Sequence, residues 1–255
     1  MELNETKSAV VTGGASGLGA AVARRLAAAF VQVSIFDTNA DQGRVFAEQI
    51  SGRFHAVDVS DPASVAQGMA EVKLAQGGLD VLVNCAGIGP AAKTVSRGMP
   101  HDPALFTKVV GINLTGSFIC ASQAAALMQE RPADAPDGER GVIVHTASVA
   151  AYEGQMGQAA YAASKGGIVG MTLPMARDLA ASGIRVCAIA PGLFLTPLLA
   201  GLPEEVQSSL GQQVPFPPRL GDPDEFAATA CHIMENRMLN GEVIRLDGAI
   251  RMAPR

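Results

Sequence analysis

The chain has 255 residues, of which 48% are hydrophobic, so it can bury a sizeable core and is not expected to be disordered. Its 19 basic and 24 acidic side chains give a net charge of −5. No overall positive field therefore exists to attract nucleic acid or an anionic membrane surface, and we expect neither as a partner.

The cysteines and histidines show no spacing typical of a disulfide framework or a metal site. The first residues, Met1 to Lys7, carry two glutamates and no apolar core, unlike a signal peptide. We therefore expect reduced thiols, no metal and a cytoplasmic protein. The cysteines are Cys85, Cys120, Cys187 and Cys231.

One uncharged run, Val186 to Pro203, is 18 residues long and reaches the lower limit for a membrane span. Three prolines interrupt it, and its β-branched start is typical of a buried strand that leads into a loop. The sequence therefore predicts no membrane span.

Short apolar runs alternate with longer helical patterns along the whole chain, which predicts βαβ units around a parallel sheet with helices on both faces. We find no linker, so residues 1–255 are expected to form one α/β domain. The predicted strands are Ala9 to Thr12, Val31 to Phe36, Phe54 to Val57, Val81 to Asn84, Val142 to Thr146, Arg185 to Ala190 and Glu242 to Leu246.

The predicted helices have clear start signals at two places, where Asp61 and Asp222 each precede a proline. The segment Pro191 to Leu220 holds six prolines and several large apolar residues, and it is interpreted either as a substrate lid or as a proline-rich interface segment. The predicted helices are Gly17 to Ala29, Asp41 to Ile50, Pro62 to Ala75, Ala104 to Gln129, Ala159 to Ala181 and Pro223 to Glu235.

A glycine-rich turn, Thr12 to Gly19, joins the first strand to the first helix. Glycines there let a backbone approach a pyrophosphate at the helix N-terminus, although a plain helix cap would also explain them. The lysine of a P-loop is missing, because Leu18 and Gly19 occupy the positions where Lys and Ser or Thr would stand. The turn therefore favours a dinucleotide over a nucleoside triphosphate.

Asp37 ends the second strand, 18 residues after Gly19. At about this distance a carboxylate accepts hydrogen bonds from the adenosine ribose and repels a 2′-phosphate, although a strand-end aspartate is also a common turn residue. The neighbouring Thr38 is uncharged, so NAD is predicted rather than NADP.

Tyr161 and Lys165 are four residues apart in a helical pattern, which places them on one face. A neighbouring ammonium stabilises a phenolate, so this pair suits acid/base chemistry near neutral pH. Ser148 follows a predicted strand, where open α/β sheets bind ligands, but an ordinary loop serine would look the same.

Two further polar residues lie in apolar surroundings. Asn113 stands within a long apolar helix, where it holds a water, bends the helix or is a satisfied core amide. His145 precedes Ser148, but without a Gly-x-Ser-x-Gly turn a serine hydrolase is disfavoured, and we expect His145 to be packed and neutral.

Together these motifs resemble the short-chain dehydrogenase/reductase family over nearly the whole chain. The resemblance implies a Rossmann-type doubly wound parallel sheet of about seven strands, NAD-dependent hydride transfer and a homotetramer. The motifs that carry it are Thr12-Gly13-x-x-x-Gly17-x-Gly19, Asn84-Cys85-Ala86-Gly87, Asn113, Ser148, Tyr161-x-x-x-Lys165 and Pro191-Gly192.

The resemblance also implies roles for individual residues. It makes Tyr161 the acid/base, Ser148 a ligand of the substrate oxygen, Lys165 a partner of the tyrosine and the nicotinamide ribose, and Asn113 the holder of a relay water. Substrate contacts are implied for Ser148 and, more weakly, for Gln155 and Gln158, which also suit a helix start. Cofactor contacts are implied for Gly13, Ser16, Gly17, Leu18, Gly19, Asp37, Asp58, Val59, Cys85, Ala86, Gly87, Tyr161, Lys165, Pro191, Phe194 and Thr196.

Within the family, several long runs resemble the members that act on 3-hydroxyacyl-CoA thioesters of fatty acid metabolism. A short or 2-methyl-branched 3-hydroxyacyl-CoA is therefore the expected substrate, although the segment Lys93 to Lys108 departs from that group. A steroid or other secondary alcohol is the alternative, and a binding or scaffold role is disfavoured by the net charge of −5. The runs are TGGASGLG from Thr12, TASVAA from Thr146, ASKGGIVGMTLP from Ala163 and NGEVIRLDGAIRM from Asn240.

Overall fold

A computed structural model describes residues 1–254, apart from the side chain of Leu198. Its main feature is a sheet of seven parallel strands in the order β3-β2-β1-β4-β7-β8-β9, as the βαβ pattern predicts. These strands are β1 Ser8–Thr12, β2 Gln32–Asp37, β3 Arg53–Ala56, β4 Val81–Asn84, β7 Gly141–Thr146, β8 Ile184–Pro191 and β9 Val243–Leu246.

Helices cover both faces of this sheet. All six predicted helices are present, and the two predicted caps are formed: a side-chain oxygen of Asp61 accepts from Ala63 N at 2.9 Å, and one of Asp222 accepts from Asp224 N at 2.8 Å. The helices are α1 Gly17–Ala28, α2 Ala40–Gln49, α3 Pro62–Gln76, α4 Pro103–Val110, α5 Ser117–Gln129, α6 Ala159–Leu179, α7 Pro197–Ala200, α8 Glu204–Gly211 and α9 Pro223–Glu235.

The long helix predicted from Ala104 to Gln129 is continuous but not uniform. A π-helical turn, Gly111–Gly116, separates α4 from α5, and Asn113 lies at its centre. π-Turns in α-helices are frequently found at functional sites.

Sequence periodicity missed the smaller elements. A short antiparallel hairpin, β5 Val95–Ser96 and β6 Met99–Pro100, precedes α4, and the segment from Pro191 to Leu220 contains α7 and α8. Two-residue strands and a four-residue helix are too short to show a period, and the eight residues of α8 include only two large apolar ones, Val206 and Leu210.

The core is divided by the sheet into two layers. Alternate residues of a strand face opposite layers, so Val11 packs with α1 and α9 while Val10 packs with α3 and α5. After β3 the chain returns to β4 on the other side of β1. This reversal opens a crevice at the carboxyl ends of β1 and β4, where α/β sheets bind their ligands.

Within residues 1–254, one helical run, Pro103–Gln129, is long and apolar enough to cross a membrane by length and composition alone. It is not the run Val186 to Pro203 considered in the sequence, because that run forms most of the buried strand β8, a loop and the short helix α7. Cys120, Ala124 and Met128 of this helical run are buried in the core layer that contains α3. Core helices of globular proteins pass the same test, so the feature by itself is weak support for a span.

Candidate active site

A cleft of about 700 Å³ opens at the carboxyl ends of the central strands. It is lined by every residue for which cofactor or substrate contacts were predicted, from the glycine turn to Thr196. Asn113, the remaining predicted site residue, lies behind the wall formed by Gly87 and Ile88.

The glycine turn forms one end of this cleft, and its glycines are required by space. A Cβ on Gly13 would lie 2.7 Å from Ala86 N, and Gly13 has a φ of +62°. Gly17 has a φ of +54°, and a Cβ there would lie 3.3 Å from Pro197 Cδ of the segment above it. The turn therefore lets backbone N–H groups and the start of α1 approach a ligand closely, which suits a pyrophosphate.

Asp37 faces the glycine turn from the end of β2. Its Oδ2 accepts from Ala15 N at 3.1 Å, and its Oδ1 accepts from Asn39 N at 3.0 Å. These hydrogen bonds fix the carboxylate on the wall of the cleft, which Ser16 and Thr38 also line. No Lys or Arg is among the described residues that line this cleft apart from Lys165.

A row of polar side chains supports the floor of the cleft. The strand register places Thr12 opposite Asn84, and Asn84 opposite His145. Thr12 Oγ1 accepts from Cys85 N and Ala86 N, both at 3.2 Å. The row thereby fixes the loop that follows β4 and that was predicted to line the cofactor.

Ser148, Tyr161 and Lys165 meet at the other end of the cleft. Lys165 Nζ lies 5.7 Å from the centroid of the Tyr161 ring and donates to Thr146 O at 2.6 Å. Lys165 is only 5% exposed. Ser148 Oγ accepts from Ala150 N at 3.1 Å, which leaves its hydroxyl proton available. The structure therefore brings the three predicted residues to one place, with a cation held beside the tyrosine.

Asn113 is a buried amide whose side-chain nitrogen and oxygen both make hydrogen bonds. Its Oδ1 accepts from Ile88 N at 2.8 Å, and its Nδ2 donates to Ile88 O at 2.9 Å and to Ser164 Oγ at 3.1 Å. A Cβ on Gly87 would lie 3.2 Å from Asn113 Oδ1. Asn113 therefore fastens the loop after β4 to the helix that carries Tyr161 and Lys165.

Burial keeps two other groups at the site uncharged. It lowers the pKa of His145 to about 4, with Lys165 contributing, and His145 is therefore packed and neutral at pH 7. Burial also raises the pKa of the Cys85 thiol to about 11, against a smaller opposite effect of its hydrogen bond from Thr146. Since the thiolate is the reactive form of cysteine, Cys85 shapes the cleft and does not act as a nucleophile.

The segment from Pro191 to Leu220 lies over the glycine turn, where Thr196 and Pro197 approach Gly17. Phe194 belongs to it but is 6% exposed, and its ring packs against Phe226 in the core. Other apolar side chains of the segment are exposed, including Leu195 and Phe216. The segment is thus anchored by Phe194 and leaves an apolar outer surface.

Gln155 and Gln158 line the cleft next to Tyr161, but their side chains already have protein partners. Gln155 Nε2 donates to Ala253 O at 3.0 Å, and Gln158 Oε1 accepts from Gln155 N at 2.9 Å. Met252 also lines the cleft, and no site role was predicted for it. It ends the run NGEVIRLDGAIRM, but that run does not indicate a contact with the cleft, because only the path of the chain brings Met252 to this end of it.

Comparison with known proteins agrees with this geometry. The family model described as short chain dehydrogenase matches residues 7–207. A human protein named 3-hydroxyacyl-CoA dehydrogenase type-2 is 52% identical over 250 residues, covering 96% of this chain and 95% of that protein. A 3alpha-hydroxysteroid dehydrogenase from Mediterraneibacter gnavus is 32% identical over 258 residues, covering 97% and 98%.

A crystal structure of 3-hydroxyacyl-CoA dehydrogenase type-2 from Mycobacterium avium has a TM-score of 0.94 with this chain, at 40% identity and with 100% of each chain covered. Fold, motifs and sequence similarity therefore agree over nearly the whole length. The chain is a member of the short-chain dehydrogenase family and has the fold of an oxidoreductase that uses a nicotinamide cofactor.

Proposed function

We propose that the protein interconverts a 3-hydroxyacyl-CoA, short or 2-methyl-branched, and the corresponding 3-ketoacyl-CoA, with NAD as the cofactor. The observation that carries this proposal is the grouping of Ser148, Tyr161 and Lys165 at one end of the cleft, with the glycine turn at the other. The 52% identical relative of that name supports the choice of substrate.

Two features of the cleft support a dinucleotide as the cofactor. The glycine turn leaves room where a Cβ would collide with Ala86, and the fixed Asp37 carboxylate offers acceptors to two ribose hydroxyls. Asp37 also disfavours a 2′-phosphate, which supports NAD over NADP. Cofactor contacts are proposed for the residues that line the cleft from Gly13 to Thr196.

When bound, the nicotinamide supplies the hydride chemistry. The protein's own groups handle the proton: Tyr161 takes it from the substrate hydroxyl in oxidation and returns it to the oxygen in reduction. Ser148 donates a hydrogen bond to the same oxygen, where negative charge develops. Lys165, held by Thr146 O beside the Tyr161 ring, is proposed to assist Tyr161 and to contact the nicotinamide ribose. Asn113 keeps the loop around Ile88 in position and is proposed to support a relay water.

The experiment is a steady-state assay of the purified protein with NADH or NADPH against acetoacetyl-CoA and its 2-methyl derivative. Faster turnover with NADH than with NADPH on both thioesters is expected. If the protein binds NADH but reduces neither thioester, the proposed substrate class is wrong.

A steroid is the second candidate substrate, favoured by the relative named 3alpha-hydroxysteroid dehydrogenase and by the apolar segment near the cleft. The comparison of kcat/KM for acetoacetyl-CoA and a steroid ketone, measured on one preparation, separates the two. We expect the thioester to be preferred, because the more similar relative acts on that class by name.

A homotetramer in the cytoplasm is proposed as the working form. Exposed apolar side chains on α4, α5 and α6, among them Phe106, Phe118 and Leu173, support an assembly between copies. Light scattering coupled to gel filtration gives the number of copies, and a monomeric mass would contradict the proposal. Fractionation of the producing cell tests the compartment.

A further inference from the structure

The last residues of the described chain cross the end of the cleft that holds Tyr161. Met156 N donates to Pro254 O at 3.0 Å, and Gln155 Nε2 donates to Ala253 O at 3.0 Å. Half-buried Met252 lines the same cleft as Ser148 and Tyr161. The C-terminal tail, defined here as residues 250–254, is therefore part of the substrate end of the site.

An ion cluster holds this tail to the loop that precedes α6. Arg245 forms a bidentate pair with Glu153, with distances of 2.8 and 3.0 Å, and it also donates to Ile250 O at 3.2 Å. Arg251 Nε lies 3.5 Å from Glu153 Oε1. The hydrogen bonds of Arg245 and the backbone N–H of Met252 both lower the pKa of Glu153, whose carboxylate is therefore charged at neutral pH.

These contacts hold the C-terminal tail in one position, where it forms a wall of the cleft. Bidentate Arg–carboxylate pairs specify direction as well as distance, and Arg245 also stacks at 5.2 Å from the centroid of the Tyr152 ring. Before Met252, Ile250 O accepts from Arg245 of β9, and after it, Ala253 O and Pro254 O accept from the loop that precedes α6. Met252 therefore meets a bound substrate from a defined position.

We propose that Met252 is a specificity-determining residue that limits the length of the acyl chain. This proposal rests on the proposed function. Ser148 and Tyr161 hold the reacting oxygen, and an apolar thioether side chain suits the alkyl arm of a thioester rather than its charged CoA arm. The wall is made by a segment outside the catalytic motifs, so acyl-chain preference can vary while the chemistry stays the same.

The test compares NADH-dependent reduction of acetoacetyl-CoA and 3-ketooctanoyl-CoA by the wild type, Met252→Ala and Met252→Trp. Met238→Ala is the matched control, since Met238 is 93% exposed. The measured quantity is the ratio of kcat/KM for the eight-carbon thioester to that for the four-carbon thioester. We expect this ratio to rise about fivefold or more in Met252→Ala and to fall about fivefold or more in Met252→Trp. The reason is that methylene-sized changes in an apolar pocket alter kcat/KM by ~10-fold or more. Met238→Ala leaves the ratio unchanged.

If the wild type reduces acetoacetyl-CoA but the ratio is unchanged in both Met252 variants, the assignment of Met252 is wrong and the proposed function is unaffected. If the wild type reduces neither thioester, the proposed function fails, and the same variants are compared on a short and a long methyl ketone.

Fluorescence gives a second measurement, because the chain has no tryptophan. In Met252→Trp the emission of the introduced tryptophan shows whether a ligand binds beside residue 252, and this measurement does not depend on whether the alanine variant folds. A shift on titration of the NAD-bound protein with 3-ketooctanoyl-CoA supports the proposal, and an emission that the thioester leaves unchanged overturns it.

Discussion

Tyr161 and Lys165 show how a residue pair is brought into the geometry that its proposed chemistry requires. The four-residue spacing puts both on one helix face, but the cation is fixed by Thr146 O, a backbone atom of a different element. The helix alone would leave the lysine free to extend into solvent.

Tyr161→Phe should lower kcat by about 100-fold to 10,000-fold, the usual contribution of a general acid/base, and leave NADH affinity almost unchanged. Stopped-flow turnover and fluorescence titration of NADH measure the two quantities. Tyr152→Phe is the control, because Tyr152 is the other of the two tyrosines in the chain. Residual activity above a tenth of wild type would contradict the role of Tyr161.

Asp37→Ala should reduce the preference for NADH over NADPH by at least about tenfold, since the carboxylate that repels a 2′-phosphate is lost and its ribose contacts are worth ~1.4 kcal/mol or more. Values of kcat/KM with each cofactor, on one substrate, measure the change. Asp41→Ala, an exposed aspartate in the first turn of α2, should leave the preference unchanged. An unaltered ratio in Asp37→Ala would place cofactor selection elsewhere.

Among the elements, helix α9 has a well-defined N-terminus. Asp222 caps the helix, and Glu225 completes a capping box by accepting from Asp222 N at 2.8 Å. Its buried face, which includes Phe226, Ala230 and Ile233, packs in the same core layer as α1. The cap therefore stabilises a helix on which one side of the core depends.

Asp222→Ala should lower the free energy of unfolding by about 1 kcal/mol, the usual loss for an N-cap oxygen. Urea denaturation followed by circular dichroism measures it. Glu48→Ala, at an exposed position near the end of α2, is the control and should change stability by less than about 0.5 kcal/mol. Equal losses in both variants would show that the cap contributes nothing specific.

At the scale of the whole molecule, the buried His145 links stability to pH. Burial, with Lys165 contributing, lowers its pKa from 6.5 to about 4 in the folded state. Between these values the unfolded chain binds more protons than the folded one, so the contribution of His145 is fully present above pH 6.5 and is lost as the pH falls toward 4.

The loss of unfolding free energy due to His145 should approach ~3 kcal/mol near pH 4, because each pKa unit corresponds to about 1.36 kcal/mol. Urea midpoints measured between neutral pH and pH 4.5 test this. His145→Gln should flatten the dependence, whereas His232→Gln, at an exposed position, should retain it. A wild-type slope that His145→Gln leaves intact would assign the acid sensitivity to other groups.

Local patterns in the sequence predict the main elements, and they also single out the residues that are proposed to carry the chemistry. Apolar runs with strand or helix periods predict the seven-stranded sheet, and Gly13 and Gly17 mark a turn that only glycine permits. The spacing of Tyr161 and Lys165 places them on one helix face, whatever surrounds that helix.

The atoms that hold these residues in place are evident only in the folded structure. Asn113 is hydrogen-bonded to Ile88, which is 25 residues away in the sequence, and Lys165 is hydrogen-bonded to Thr146, which is 19 residues away. Met252 reaches the substrate end because the tail pairs with the loop before α6, roughly 100 positions earlier in the chain. Such contacts depend on how strands and helices stack, and no local period or composition records that stacking.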